Sequence, residues 1–129
     1  MSENFIVEII SPDRSILKSE AKEVTLPSYE GQMGILKEHI PLITFLRPGL
    51  IIISQTNAEK VFFVEEGTVE FVNNNLLILS STAQNLNDLD KNSIDAIIED
   101  SKAKMNSEIS DKEKYLLSYK IDTLKEINS

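Results

Sequence analysis

The sequence predicts an α+β chain, an N-terminal antiparallel β-sandwich followed by a C-terminal antiparallel two-helix hairpin. Three observations predict it. All four Gly and all four Pro stand before residue 68, and both residues serve turns while disrupting helix interiors. Short apolar segments at spacings of about ten residues fill the first half, the pattern of a sandwich or barrel. After Ala83 the apolar spacing lengthens to that of helices.

The elements follow in order. Phe5, Val7 and Ile9 alternate along the first strand. Val24 and Leu26 alternate with Glu23 and Thr25, and Pro27 is expected to end that strand. Residues 50–54 follow Pro48-Gly49, and a polar turn over 55–59 leads to residues 61–64. Val69 and Phe71 alternate with Thr68 and Glu70. Asn73, Asn74 and Asn75 make a tight turn, because Asn tolerates positive φ, and residues 76–79 return. The runs 50–53 and 76–79 lack polar alternation. They are expected to be covered on both faces, or partnered on the outside. Residues 84–90 read as a linker, dividing a domain over 1–84 from one over 85–129. Ile94, Ile97, Ile98, Ser101 and Met105 form one helical face, with Asn92 expected as its cap. Ser110 and Glu113 form a capping-box pair for a second helix that carries Leu117, Ile121 and Leu124. The short connector over 106–110 implies antiparallel helices.

Composition narrows the function. The chain has 129 residues and a formal charge of −8, enough length for one core and the wrong sign for bulk binding to nucleic acid or anionic lipid. It has no Cys and one His, so thiolate and multi-His metal sites are excluded. No basic leader opens it, and its apolar runs fall far short of the about 20 residues that cross a bilayer as a helix. Any work at a membrane is expected to be through a partner.

Candidate chemistry is sparse. Gly31 and Gly34 lack the Lys-Ser or Lys-Thr of a phosphate loop and read as turn or bulge residues. His39 beside Pro41 reads as loop packing, and Ser80, Ser81 and Thr82 as strand-end residues without a base. The adjacent acids Glu65-Glu66 and Glu99-Asp100 diverge and read as solvated surface. Lys112, Lys114, Lys120 and Lys125 make either a solvated helix face with interleaved acids or a positive strip for an acidic partner. Tyr115 and Tyr119 share one side of that helix and read as packing residues. The residues favour an interaction module over an enzyme.

Five segments then carry a resemblance. Val7-Glu8-Ile9-Ile10-Ser11-Pro12 comes first. Pro27-Ser28-Tyr29-Glu30-Gly31-Gln32-Met33-Gly34-Ile35-Leu36 and His39-Ile40-Pro41-Leu42-Ile43-Thr44, the latter followed by Arg47-Pro48-Gly49, come next. Phe62-Phe63-Val64-Glu65-Glu66-Gly67-Thr68-Val69-Glu70 comes fourth, and Leu77 to Ala83 with Asp88-Leu89-Asp90 completes the set. In this order they resemble the epsilon subunits of bacterial F-type ATP synthases, counterparts of the mitochondrial delta subunit. The resemblance implies a sandwich of about ten strands with a hairpin. It implies a non-catalytic central-stalk subunit, on the cytoplasmic face of the membrane, that couples proton-driven rotation of the c-ring to ATP synthesis through gamma. It implies that Glu30, Gln32 and Met33 meet the c-ring, with Gln32 where many members carry an acid. It implies that His39, Pro41, Leu42 and Thr44 face gamma. The lysine strip would meet the catalytic beta and alpha subunits and restrain ATP hydrolysis. Of the family's nucleotide motif, Ile94 and Asp95 remain. Ile98 stands at its Arg and no Arg follows Arg47, so no nucleotide cofactor is expected. The alternative is an unrelated sandwich-plus-hairpin adapter.

Overall fold

A computed structural model of the chain describes residues 4–128. Ten strands come first, β1 (Phe5–Ile10), β2 (Ser15–Ala21), β3 (Glu23–Ser28), β4 (Gly31–Leu36), β5 (Leu42–Leu46), β6 (Gly49–Ser54), β7 (Glu59–Val64), β8 (Gly67–Val72), β9 (Asn75–Leu79) and β10 (Gln84–Asn85). A single 3-10 turn, Leu86–Asp88, leads into α1 (Lys91–Met105) and α2 (Asp111–Ile127).

The strands fold over into two layers. One layer holds β10, β7, β6, β3 and β4, and the other β5, β8, β9, β1 and β2. They join at β3, which pairs with β6 through Glu23, Val24 and Thr25 and with β5 through Ser28 alone. Every pairing is antiparallel except β1 with β9, which run parallel. Side chains on a strand alternate faces, so Val7 and Ile9, Val24 and Leu26, and Ile51 and Ile53 all enter the core between the layers. Each such buried side chain stabilises the fold by about 1.5–3 kcal/mol.

Several details differ from expectation. Pro27 does not end β3, which runs on to Ser28. The Pro27 carbonyl accepts from Arg47 N at 3.0 Å, on the side where β3 passes from β6 to β5. The missing proline N–H therefore falls in that gap and breaks no ladder bond. Residues 84–90 are not a plain linker, because Gln84 and Asn85 pair with Phe63 and Phe62 and residues 86–88 form the 3-10 turn. The cap of α1 is Asp90, not Asn92, and its carboxylate accepts from Ser93 N at 2.7 Å. The capping box of α2 forms as expected between Ser110 and Glu113.

The hairpin lies against the outer face of the β6–β7 layer. Leu124, Ile94 and Ile98 pack there on Phe63, with Leu50 at the edge of the cluster. This covers the second face of the apolar β6 run. The β9 run has no such cover, and Leu79 remains 44 % exposed.

Candidate functional site

Residues 36–46 position the first surface. Glu38 adopts φ 68°, a conformation unusual for a residue with a Cβ. It is held by a reciprocal pair of bonds: Glu38 N donates to Asn74 Oδ1 at 2.8 Å, and Asn74 Nδ2 donates to Glu38 Oε1 at 3.0 Å. The β4–β5 corner is thereby tied to the β8–β9 turn. Asn73 and Asn74 both take the positive φ expected of them. Within the corner, the His39 ring stands edge-on to Phe71 at 6.0 Å, and its Nδ1 lies 2.6 Å from the Ile40 carbonyl.

Strand β5 then alternates. Leu42 packs toward the core, and Thr44 and Leu46 are buried. Ile43 and Phe45 point outward at 73 % and 58 % exposure. Ile40, Val72 and Leu79 are also exposed large apolar side chains on this layer. Of the four residues linked by resemblance to gamma, Pro41 is exposed, His39 is half-buried, and Leu42 and Thr44 face inward. A protein seated on this face meets Ile43 and Phe45, which the sequence reading passed over. The alternation of Ile43 and Phe45 against Leu42, Thr44 and Leu46 was the signal available. A shallow depression of 430 Å³ between Pro41, Ile43, Glu70 and Val72 lies at the corner end of the face.

The second surface is the β3–β4 turn. Gly31 has φ 113°, which a side chain would strain. Ser28 Oγ closes the turn, donating to the Gly31 carbonyl at 2.7 Å and accepting from Glu30 N at 3.2 Å. Glu30 and Gln32 are exposed, whereas Met33 is half-buried against the core. Gln32 also lines a 250 Å³ cleft shared with Arg47, Tyr119 and Thr123, between the sandwich and α2.

Around that cleft the hairpin is held by polar and aromatic contacts. Tyr29 stacks on Tyr115 at 6.1 Å and 6°, and Tyr115 tilts against Tyr119 at 4.9 Å. Arg47 Nη1 donates to Tyr115 Oη at 3.1 Å, and its guanidinium carbon sits 4.0 Å from the centre of the Tyr119 ring. Lys120 Nζ meets Glu65 Oε1 at 2.7 Å. Lys120 therefore differs from Lys112, Lys114 and Lys125, which are exposed.

Glu66 forms a separate staple. Its Oε1 accepts from Ser81 N at 3.0 Å and from Ser81 Oγ at 2.7 Å, and Ser80 Oγ donates to its carbonyl at 2.7 Å. The Ser80–Thr82 hydroxyls thus serve the β9–β10 loop. The next residue must be Gly67, because a Cβ there would stand 2.6 Å from the Leu79 carbonyl. On the helices, Ile94 is buried and Asp95 accepts from Asn128 Nδ2 at 2.7 Å. Ile98 is buried in the cluster with Phe63. Among the described residues no group of three or more His, Cys, Asp or Glu gathers to hold a metal. No described helix is long and apolar enough to cross a membrane.

The family model described as the beta-sandwich domain of the ATP synthase delta/epsilon chain matches residues 4–86. The ATP synthase epsilon chain of Pelagibacter ubique (strain HTCC1062) is 47 % identical over 133 residues, spanning 99 % of this chain and 100 % of that one. Two solved structures share the fold. One is from the mitochondrial ATP synthase of Euglena gracilis, described as OSCP/F1/c-ring, with TM-score 0.84, 19 % identity, and coverage of 100 % of this chain and 84 % of that one. The other is from the central stalk and c-ring of the Tetrahymena thermophila enzyme, with TM-score 0.68, 16 % identity and 96 % coverage of both.

Proposed function

The chain belongs to the ATP synthase epsilon chain family, and on that premise we propose how it works. It is a non-catalytic central-stalk subunit that couples rotation of the c-ring to ATP synthesis. The unrelated-adapter alternative has no support. Its exposed β5–β8–β9 face receives gamma, and its β3–β4 turn, through Glu30 and Gln32, receives the c-ring. Met33 supports that turn from within, as Leu42 and Thr44 support the gamma face. His39 holds the corner that presents Ile40 and Pro41. The chain is attached peripherally, on the cytoplasmic face of the membrane, through the complex. Close-packed sandwich interiors deform little, so torque applied at one surface reaches the other.

One observation carries this reading: large apolar side chains stand open on β5 and its corner, beside the segment that resembles the gamma-facing one. A monomeric soluble domain rarely leaves such a face open without a partner. Co-purification with gamma tests it. Ile43→Glu should weaken the pairing at least about tenfold, since one buried apolar side chain is worth about 1.5–3 kcal/mol. The sandwich should stay folded, because Ile43 is outside the core. Undiminished pairing with gamma would refute this placement.

The hairpin is proposed not to bind ATP tightly. Asp95 is engaged by Asn128, and Ile98 fills apolar space where the family motif carries Arg. Lys125 lines the 460 Å³ cleft beside them, but a lysine lacks the guanidinium fork that grips phosphate in two bonds. Calorimetric titration with ATP should give no micromolar or tighter binding, and such affinity would overturn the statement.

A further inference from the structure

We infer that the β3–β4 turn and the start of α2 form one composite surface, so that a polar protein loop seated on the turn also tightens the docking of the hairpin. The inference rests on the reading of that turn as the c-ring contact and adds a linkage to it.

The chain has three Tyr, and all three gather here with Arg47. Tyr29 belongs to the turn, and Tyr115 and Tyr119 belong to α2. The sandwich side is fixed by its own backbone. Tyr29 N donates to the Phe45 carbonyl at 3.2 Å, and Arg47 N donates to the Pro27 carbonyl at 3.0 Å. Ser28 Oγ closes the turn from below. Tyr29 is therefore not a free side chain that drifts onto α2. It is presented by a bonded turn whose next residues are the exposed Glu30 and Gln32.

The stack is only half covered. Tyr29 is 42 % exposed and Tyr115 is 38 % exposed. Gln32 and Tyr119 line the same cleft. A loop that hydrogen-bonds Glu30 and Gln32 thus lies over the open rim of the stack and excludes water from it. Cation–π attraction strengthens severalfold when desolvated, so the hold of Arg47 on Tyr119 tightens. Coupling between two sites is reciprocal. A docked hairpin therefore also raises the affinity of the turn for its loop.

Amide hydrogen exchange over residues 119–124 of the full chain tests this. In the isolated chain, Tyr29→Ala should lower protection about three- to tenfold, the worth of one aromatic pair. Tyr29→Phe, which keeps the stack, should restore it. Unchanged protection in Tyr29→Ala overturns the inference whatever the ring does. In the assembly with gamma and detergent-solubilised c-ring, protection should rise above that of the chain–gamma pair, but not in Tyr29→Ala. A cross-link from Gln32→Cys to the ring reports separately whether the ring sits on the turn. Cross-linking without a rise in protection overturns the linkage. Absence of cross-linking overturns the reading of the turn and removes the ring as the partner.

Discussion

Asp90 shows how one side chain sets where an element begins. Asn92, Ser93 and Asp90 all offer a capping oxygen near the start of α1. With Asp90 as cap, Leu89 precedes the helix and Ile94 falls in its first turn, and both join the cluster on Phe63. That is a hydrophobic staple, and a cap at Asn92 would lose it. The bond from Ser93 N, aided by the Ser93 hydroxyl, holds the Asp90 carboxyl below its ordinary value. The charged form is therefore the stabilising one. Its contribution is complete above the unfolded carboxylate value of about 3.9 and is lost as pH falls through the lower folded value. Asp90→Ala should melt its helices earlier at neutral pH. Followed by far-UV circular dichroism, the gap between variant and native chain should narrow as pH falls below the ordinary carboxylate range. A gap that persists in acid would mean the cap acts without its charge.

At the scale of elements, the hairpin contains one local conflict. Ser101 lies on the predicted face of α1 and is fully buried, yet its hydroxyl finds no partner. A buried hydroxyl without a hydrogen bond costs about 1–3 kcal/mol, and Ala is the better helix former. Ser101→Ala should raise stability by about 1 kcal/mol, visible as a rise of a few degrees in the helical melt. A fall in melting temperature would show that the hydroxyl is satisfied in solution. The spacing of Ile94, Ile98 and Ser101 made this helix legible in the sequence, as alternation did for β1, β3 and β8. Strands β2, β4 and β5 were not legible. β2 sets Ile16 beside Leu17, β4 carries two Gly, and β5 follows a Pro and reads as part of a loop motif. Their strand character comes from neighbours distant in sequence, such as Ala21 against Phe5 and Thr44 against Val69. The candidate surfaces were half legible for the same reason. Glu30, Gln32 and Pro41 are exposed as a contact requires. Ile43 and Phe45 emerge only once β5 is known to be a strand, and Tyr29 only once α2 is seen beside it.

For the whole molecule, the position of the hairpin decides which charges face outward. Docked, it occupies Lys120 with Glu65 and leaves Lys112, Lys114 and Lys125 in solvent. The docking contacts are a small apolar cluster, an aromatic stack and an ion pair, each modest compared with the sandwich core. A partner that binds the undocked hairpin better shifts the population by its differential affinity alone. By the resemblance, an acidic segment of the catalytic beta subunit would supply such a difference through the lysine strip. Three exposed pairs at about 0.5 kcal/mol each combine to roughly tenfold. Replacing Lys112, Lys114 and Lys125 together by Gln leaves the Lys120–Glu65 pair and the docked state intact. In the assembled enzyme this triple variant should raise ATP hydrolysis by up to about tenfold while leaving coupled synthesis unchanged. Hydrolysis rates equal to those of the native assembly would show that the strip restrains nothing. The lysines would then be a solvated helix face, paired with the acids interleaved among them.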